Sequence, residues 1–453
     1  MDFLDNSVLP QSAHHVVLLK YLLVLAYLLF IPYMSVLLGS FFFSVFYNRK
    51  GNKTDEKKYL KYSKALIDLL TFNKAISLIL GIVPFLSIIF SYAQLLHLSG
   101  AVVVTGFTFS FILFAASLIL IYAYKYAFHL SDMLGAITVD TDNLSKSDPD
   151  LVVEARSYKN VARQVYYKSG LWGVVLLLIS SYIFVGAFQL TLNPGDWSSS
   201  NFVNLLFSFN TVLYFLYFLS ASFGLTFSAF LFYYIKLNNS KDSNADYIEF
   251  ARKRSITMGL IFSIAISAFI VLLVIITPQV ALSGKAIIAA IGILLLLTAI
   301  SSLFYVMLKE SHAKYAHLTL YLFLAVFALS IFKEHFNFST ASQRQIKVLA
   351  AEFVDYQNKL KEEMGIELIA ISGSDIFNGR CSACHQFDQQ LVGPSYNSVL
   401  PKYEGKKEDL VQFILNPVKV DANFPPMPNQ GLKPKEAEAI ADYIIQIYKE
   451  QSL

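Results

Sequence analysis

Two thiols separated by two residues and followed at once by an imidazole occupy Cys381, Cys384 and His385. Each thiol of such a pair can add to one vinyl group of a haem, and the histidine then falls under the iron as an axial ligand. Two other chemistries use the same spacing of cysteines. A zinc site needs four ligands, yet these are the only two cysteines in 453 residues, and His385 is the only histidine after His335. A dithiol redox motif would open a helix after a strand in a βαβ unit, and no such unit is readable. Covalent haem is therefore the favoured reading, with a dithiol or a weak metal site as the alternatives.

A haem held this way needs a sixth ligand if it is to carry electrons and bind nothing else. Met427 is the only methionine after the motif, and Pro425, Pro426 and Pro428 stiffen the backbone on both sides of it. Ligation by histidine and methionine raises the haem potential. The other possibilities are that Met427 fills the core and that lysine or water takes the sixth position. An iron with both axial positions filled has no open site, and no acid/base or nucleophile set lies near the motif.

These residues must be positioned by what precedes them. The chain is 55% apolar and 15% aromatic, but only 15% charged, against about 25% charged in soluble proteins. Most of it is membrane protein. The net charge of +4 is small and spread out, which argues against a nucleic-acid partner. Eight apolar runs are long enough to span a bilayer, at 17–46, 69–96, 101–124, 169–190, 203–235, 256–278, 286–308 and 314–333. The first, second and fifth are long enough to tilt or to extend beyond it. Residues 1–13 are polar and acidic, unlike the basic start of a secretory signal.

The connections alternate in charge. The first carries Arg49, Lys50, Lys53, Lys57 and Lys58; the third Lys146, Arg156, Lys159 and Arg163; the fifth Lys241, Arg252, Lys253 and Arg254; the seventh Lys309 and Lys314. The second and fourth carry no basic residue, and the sixth has Lys285 alone. Basic loops stay in the cytoplasm, so eight spans put both termini, and the haem motif, outside. Covalent haem attachment takes place on the outer side of the bacterial inner membrane, which agrees. The expected location is a multi-pass inner-membrane protein with its haem domain in the periplasm.

Within the bundle, His14, His15, His97 and His335 fall near the outer surface, and His129, His312 and His317 near the inner one. None is mid-span, so a haem b in the bundle is not the expectation, and the outer set is where one would be sought; a quinone in the bundle is likewise not the expectation. Lys74 is the clearest ionisable residue inside a span. It either has a function, or snorkels to the cytoplasm, or pairs with Asp68 or a partner subunit. After the eighth span, residues 334–341 leave the helix. Ser342 to Met364 then reads as an amphipathic helix, opened by a capping box of Ser342 and Gln345 and striped by Ile346, Leu349, Phe353, Tyr356 and Leu360. It packs on the haem domain or the bundle, or docks a partner subunit. The domains expected are a bundle over 1–335, a connecting helix over 336–365 and a haem domain over 366–453.

Two resemblances add to this reading. From Gly365 onward the chain resembles the class I c-type cytochromes. Gly373 and Phe377 precede Cys381, Gly393-Pro394 follows His385, and Pro425-Pro426-Met427-Pro428 matches the loop of the distal ligand. The resemblance implies that Gly373 touches the closing helix, Lys435 to Tyr448, whose inner face is Ile440, Tyr443, Ile444 and Ile447. It further implies that Phe377 and Tyr443 lie on the cofactor, and that the Pro394 carbonyl accepts a hydrogen bond from His385. The start of the chain resembles subunit I of the cytochrome bd-type oxidases over Tyr27–Pro32 and Phe72–Ala75. Tyr27 stands where that family has a haem-binding histidine, and the loop between the sixth and seventh spans is short where the family has a large quinol-binding loop; the likeness therefore implies a haem-free relative.

The fold expected is all-α: about eight transmembrane helices plus a small cytochrome c domain. The function expected is one-electron transfer on the periplasmic face by one covalent haem c, as a subunit of a larger respiratory complex. Its partners are other membrane subunits and a soluble or membrane redox partner. The rivals are a quinol:cytochrome c reductase or oxidase subunit with haem b or quinone in the bundle, and a haem-based redox sensor.

Overall fold

The structure, a computed structural model, describes residues 10–71, 73–139, 149–197, 207–237, 245–310, 312–364 and 372–451. Lys146 and Lys241 lie outside the described residues, as does Phe72. The chain divides into two compact units, Met1–Val354 and Asp355–Leu453.

Among the described residues of the first unit, eight helices are long and apolar enough to cross a bilayer. The first, α1 (Ala13–Thr54), is central. Phe30, Leu37, Leu38, Phe41 and Tyr47 along it are all fully buried. Pro32 sits inside it without ending it; neighbouring helices in a bundle re-satisfy the carbonyl that a proline frees. A separate amphipathic helix, α2 (Lys57–Thr71), follows, burying Tyr62, Ser63, Leu66 and Ile67.

The second span is shorter than the apolar run suggested. It is α3, Lys74–Leu95, and begins where the Asn73 side chain accepts a hydrogen bond from the Ala75 N–H at 2.9 Å. A short polar cap of this kind supplies a partner for an otherwise free N–H and so starts a helix even in an apolar run. Its second turn is a π-helix, Ser77–Ile82, just ahead of Pro84.

The hairpin α4 (Val103–Val139) and α5 (Pro149–Thr191) has helices of 37 and 43 residues. At 1.5 Å per residue these are about 55 and 65 Å long, against a hydrocarbon core of about 30 Å. Their apolar stretches lie at the end away from residues 140–148, so the surplus turns project on the side of the basic loops. The remaining spans are α6 (Phe209–Phe230, continued by a π-helical stretch Leu231–Leu237), α7 (Ala245–Ile276), α8 (Gly284–Glu310) and α9 (Ala316–Ala341). Two packing clusters fill the unit. One joins α1 to α3, α4 and α5; the other joins the basic-loop half of α1 to α2 and α6–α9.

The eighth span runs on to Ala341, so residues 334–341 are helix and not an exit loop. The connecting helix, α10 (Gln343–Glu363), follows at once. Its capping box is not formed. Ser342 still belongs to the turn of α9, its N–H donating to Phe338 O at 2.9 Å, while the Gln345 amide donates to the His97 carbonyl. Leu349 is fully buried and Ile346 packs beside it in the bundle's first cluster, and Glu352 pairs with buried His97 at 3.3 Å. The first half of α10 is thus part of the first unit, and the division between units falls within this helix rather than at either of its ends.

The second unit is small and helical. A helix α11 (Gly373–Ile376) widens into a π-turn, Phe377–Cys381. Then come α12 (Tyr396–Val399), a 3-10 turn at Leu400–Tyr403, α13 (Lys407–Leu415) and α14 (Pro434–Gln451). On α14 the buried residues are Ala437, Ile440, Ala441 and Ile444. That spacing of three and four makes a single stripe on a helix, which packs on Phe377, Cys381, Tyr396, Leu400, Leu410 and Ile414. Tyr443 and Ile447, expected on this face, flank it half-buried.

Candidate functional site

Serine 372 starts the approach to the motif, its hydroxyl accepting from the Asp375 N–H at 3.1 Å. The helix ends wide, with Ser382 N donating to Phe377 O at 2.8 Å; π-turns are rare and occur often at functional sites. Cys384 N and His385 N then both donate to Cys381 O, at 3.1 and 2.9 Å. The chain therefore curls around one carbonyl. Cys381, Cys384 and His385 all reach the wall of one cavity of about 480 Å³, within the range of about 300–1,000 Å³ for small-molecule and cofactor sites.

Histidine 385 is fixed by its other nitrogen. Nδ1 lies 2.9 Å from the Pro394 carbonyl oxygen. A carbonyl can only accept, so Nδ1 carries the proton and Nε2 keeps its lone pair. That is the tautomer a metal ligand needs. The return loop is pinned by Gly393 N to Cys384 O at 2.9 Å and Tyr396 N to Gln386 O at 3.0 Å. At Gly393 a Cβ would stand 2.3 Å from the imidazole Cε1, so no larger residue fits without moving the ring.

Met427 lines the same cavity, half-buried. Its loop is tied down at three points: Arg380 Nη1 donates to Gln430 O at 2.8 Å, Asn429 Nδ2 to Leu415 O at 2.9 Å, and Gly431 N to Asn429 Oδ1 at 2.8 Å. Arg380, next to Cys381 in sequence, thus braces the methionine loop. Sequence reasoning gave it no such role.

Two expected cofactor contacts differ. Pro394 lines the cavity, but Phe377 and Tyr443 do not. They pack on each other at 5.6 Å between centroids, and Phe377 also meets Phe387 and Tyr396 at 5.5 and 5.9 Å. The reason is the close approach of α11 to α14: a Cβ on Gly373 would lie 2.3 Å from Ala439 O and 2.7 Å from Tyr443 Cβ. This draws both rings into the helix interface. The aromatics on the wall are Tyr396, Tyr403, Phe413 and Phe424, and Tyr396 lies 5.2 Å from the His385 ring; its place two residues after Pro394 was the available signal. Burial pushes the Tyr396 phenol well above its usual range and the Cys381 thiol up to about 11.

Two thiols, an imidazole with a free Nε2 and a thioether around one cavity, with Leu400, Leu410, Ile414, Ile440 and Ile444 on its apolar side, are a donor set that fits a haem. The zinc alternative finds no support: among the described residues there is no group of three or more His, Cys, Asp or Glu that could hold a metal ion.

The bundle corrects a further expectation. Lys74 does not pair with Asp68. It is exposed at the start of α3, its Nζ 5.1 Å from the Tyr126 ring centroid. Asp68 instead meets His129 at 3.0 Å and Lys125 at 3.2 Å. The buried charge is elsewhere. Lys333, 2% exposed, pairs with Glu334, whose other oxygen accepts from Asn337 at 3.0 Å. Both charges were read as lying at or past the end of the eighth span. Of the outer histidines, His14 and His15 are exposed, His97 engages Glu352 and His335 is half-buried beside Glu334.

Residues 370–447 match the family model described as Cytochrome c. Cytochrome c-551 of Pseudomonas denitrificans is 35% identical over 81 residues, 17% of this chain and 98% of that protein. Cytochrome c-552 of Hydrogenobacter thermophilus is 29% identical over 98 residues, 19% of this chain and 99% of that protein. A cytochrome c-552 of Nitrosomonas europaea is 31% identical over 72 residues, 15% of this chain and 69% of that protein. The family match is the length of a single small domain and contains the cavity residues from Cys381 to Met427 and most of α14. Through this C-terminal unit the chain belongs to the cytochrome c family, and the chemistry of the unit is haem-based electron transfer.

Proposed function

We propose that the chain is a multi-pass protein of a bacterial inner membrane that carries single electrons on one covalent haem c at the periplasmic face, within a larger respiratory complex. The observation that carries this is the His385 Nδ1–Pro394 O hydrogen bond of 2.9 Å, which presents Nε2 to the same cavity that Cys381, Cys384 and Met427 reach. In this reading Cys381 and Cys384 hold haem through thioethers, and His385 and Met427 are its axial ligands. Bound haem supplies a one-electron ferric/ferrous couple, with a potential raised by the thioether. Pro394 orients the imidazole, Arg380 braces the methionine loop, and the apolar wall of Leu400, Ile440 and Ile444 excludes water.

The periplasmic side is supported by the run of basic loops on alternate connections and by the even number of spans. Membership of a complex is supported by the size of the anchor. One helix would tether this unit; eight give a surface for other membrane subunits.

The test is a pyridine haemochrome spectrum of the purified full chain, paired with the variant Cys381→Ala/Cys384→Ala. The expected result is a c-type band alone, lost in the variant while the bundle still inserts. Covalent haem in the variant would show the motif misread, and a b-type band would favour a catalytic subunit with its own haem in the bundle. Met427→Ala should abolish the sulfur-to-iron absorption band of the oxidised protein. Its persistence would assign the sixth ligand elsewhere.

A further inference from the structure

At the basic-loop ends of α1 and α7, with α2 packed against both, four aromatic rings form a nest. Tyr47 and Tyr59 lie nearly parallel, with 5.9 Å between centroids and 4° between planes. Tyr62 meets Tyr47 at 5.0 Å, and Phe250 meets Tyr59 and Tyr62 at 5.2 and 5.8 Å. The Tyr62 hydroxyl lies 2.7 Å from the Ser255 hydroxyl, which ties α2 to α7. Tyr47 follows directly on the apolar run 17–46, and Ser255 directly precedes the run 256–278. The nest therefore sits where hydrocarbon gives way to lipid headgroups, a layer about 5–8 Å thick on each face of a bilayer.

Two cations are fastened to it. Arg254 Nε donates to the Tyr47 hydroxyl at 2.7 Å, with the guanidinium carbon 5.8 Å from that ring's centroid. Lys50 Nζ stands 4.4 Å from the Tyr59 centroid. Both side chains are half-buried, and Lys50 acts electrostatically on the same Tyr47 hydroxyl that Arg254 holds. The nearby carboxylate of Glu56 is taken by Lys58, at 2.5 Å. Among the described residues no ion pair includes Lys50 or Arg254, and the Nη groups of Arg254 make no hydrogen bond. An aromatic face attracts a cation but does not neutralise it. One stacked pair of rings thus carries two positive charges with no counter-ion among the described residues.

We propose that this nest binds the phosphodiester headgroup of an anionic phospholipid in the leaflet on the basic-loop side. The Nη groups of Arg254 offer a fork of N–H donors that matches two phosphate oxygens, and Lys50 adds a point charge. The bond from Nε to Tyr47 holds the fork in place, so less side-chain freedom is lost on binding. The level of the nest selects a lipid over a free anion. Acyl chains hanging from a headgroup here run down the outer faces of α1 and α7, where Phe46 and Ile261 are exposed, and free phosphate has no such contact. A zwitterionic headgroup brings its own cation to a positive site and so binds less well. The proposal stands independently of the haem assignment.

The experiment is native mass spectrometry of the full chain in detergent, titrated with dioleoyl phosphatidylglycerol or dioleoyl phosphatidylcholine. Wild type is compared with Lys50→Gln/Arg254→Gln and with Arg156→Gln/Lys168→Gln, which removes the same charge from exposed positions on α5. Each cation near a membrane surface contributes roughly 5-fold to anionic-lipid affinity, so the first double variant should weaken phosphatidylglycerol by about 10-fold or more and abolish its preference over phosphatidylcholine, while the α5 variant stays within about 2-fold of wild type. An unchanged elution profile and covalent haem content show that a variant is folded. If the first double variant is not, Arg254→Lys replaces it; that change keeps the charge and loses the fork, and should weaken phosphatidylglycerol roughly 2- to 10-fold. Equal affinity of wild type for the two lipids, or unchanged binding by the folded Lys50 and Arg254 variants, would overturn the site. Equal weakening by the two double variants would overturn it too, in favour of a diffuse basic surface. Displacement of phosphatidylglycerol by millimolar inorganic phosphate at constant ionic strength would assign the nest to a free anion and refute the lipid.

Discussion

Replacing Gly373 by alanine tests the packing on which the haem unit depends. The added Cβ would stand 2.3 Å from Ala439 O, 3.0 Å from Ala439 C and 2.7 Å from Tyr443 Cβ. Two of these atoms are backbone, so no rotamer change relieves them, and α11 must move from α14 by roughly 1 Å to restore ordinary contact. Overpacking of this kind costs about 1–3 kcal/mol. Alanine recovers about 0.4–1 kcal/mol by restricting the unfolded chain. The net loss of about 1–2 kcal/mol lowers the melting temperature of a unit this size by about 5–15 °C. Gly379 provides the control: it lies in the same helix and a Cβ there meets nothing within 4 Å, so Gly379→Ala should stay within about 0.5 kcal/mol of wild type. The assay is thermal unfolding of the full chain in detergent, followed by haem absorption, which reports this unit without interference from the bundle. Equal melting of the two variants would refute the argument.

Three further outcomes follow from the geometry. Gly393→Ala should keep covalent haem, because the thiols are untouched, but displace the imidazole; a visible spectrum identical to wild type would show the ring tolerates the Cβ. Arg380→Gln removes a bond to Gln430 O on an exposed surface and should weaken the methionine loop by about 1 kcal/mol, raising the affinity of added imidazole for the haem roughly 5-fold; unchanged imidazole titration would deny Arg380 this bracing role. Lys333→Met leaves Glu334 without its buried partner and should cost about 3–5 kcal/mol, whereas Lys333→Met/Glu334→Gln should recover most of it. Membrane accumulation of the single variant at wild-type level would argue against a buried pair.

What could be read in the sequence was what depends on spacing along the chain. The motif, the Gly393-Pro394 turn and the proline-flanked Met427 are local patterns, and the structure gathers them around one cavity. Eight apolar runs became eight helices because length and hydropathy alone decide a span. The misreadings arose where contact across helices decides. Phe377 and Tyr443 are drawn off the wall by the approach of two helices at Gly373. Asp68 turns to Lys125 and His129, far along the chain on α4, rather than to nearby Lys74. Lys333 and Glu334 look like the end of a span because they are charged; each neutralises the other, so the helix continues through them to Ala341. The capping box at Ser342 fails because α9 does not end before it.

The long hairpin of α4 and α5 has a practical consequence. In detergent, a micelle wraps the membrane spans and hides them in projection images, and a bundle enclosed this way looks the same from either end. A pair of packed helices reaching about 20–30 Å beyond the bilayer stays visible outside the micelle. It would give electron-microscope particles an intrinsic up and down, and offers a rigid place on the side of the basic loops to attach an antibody fragment.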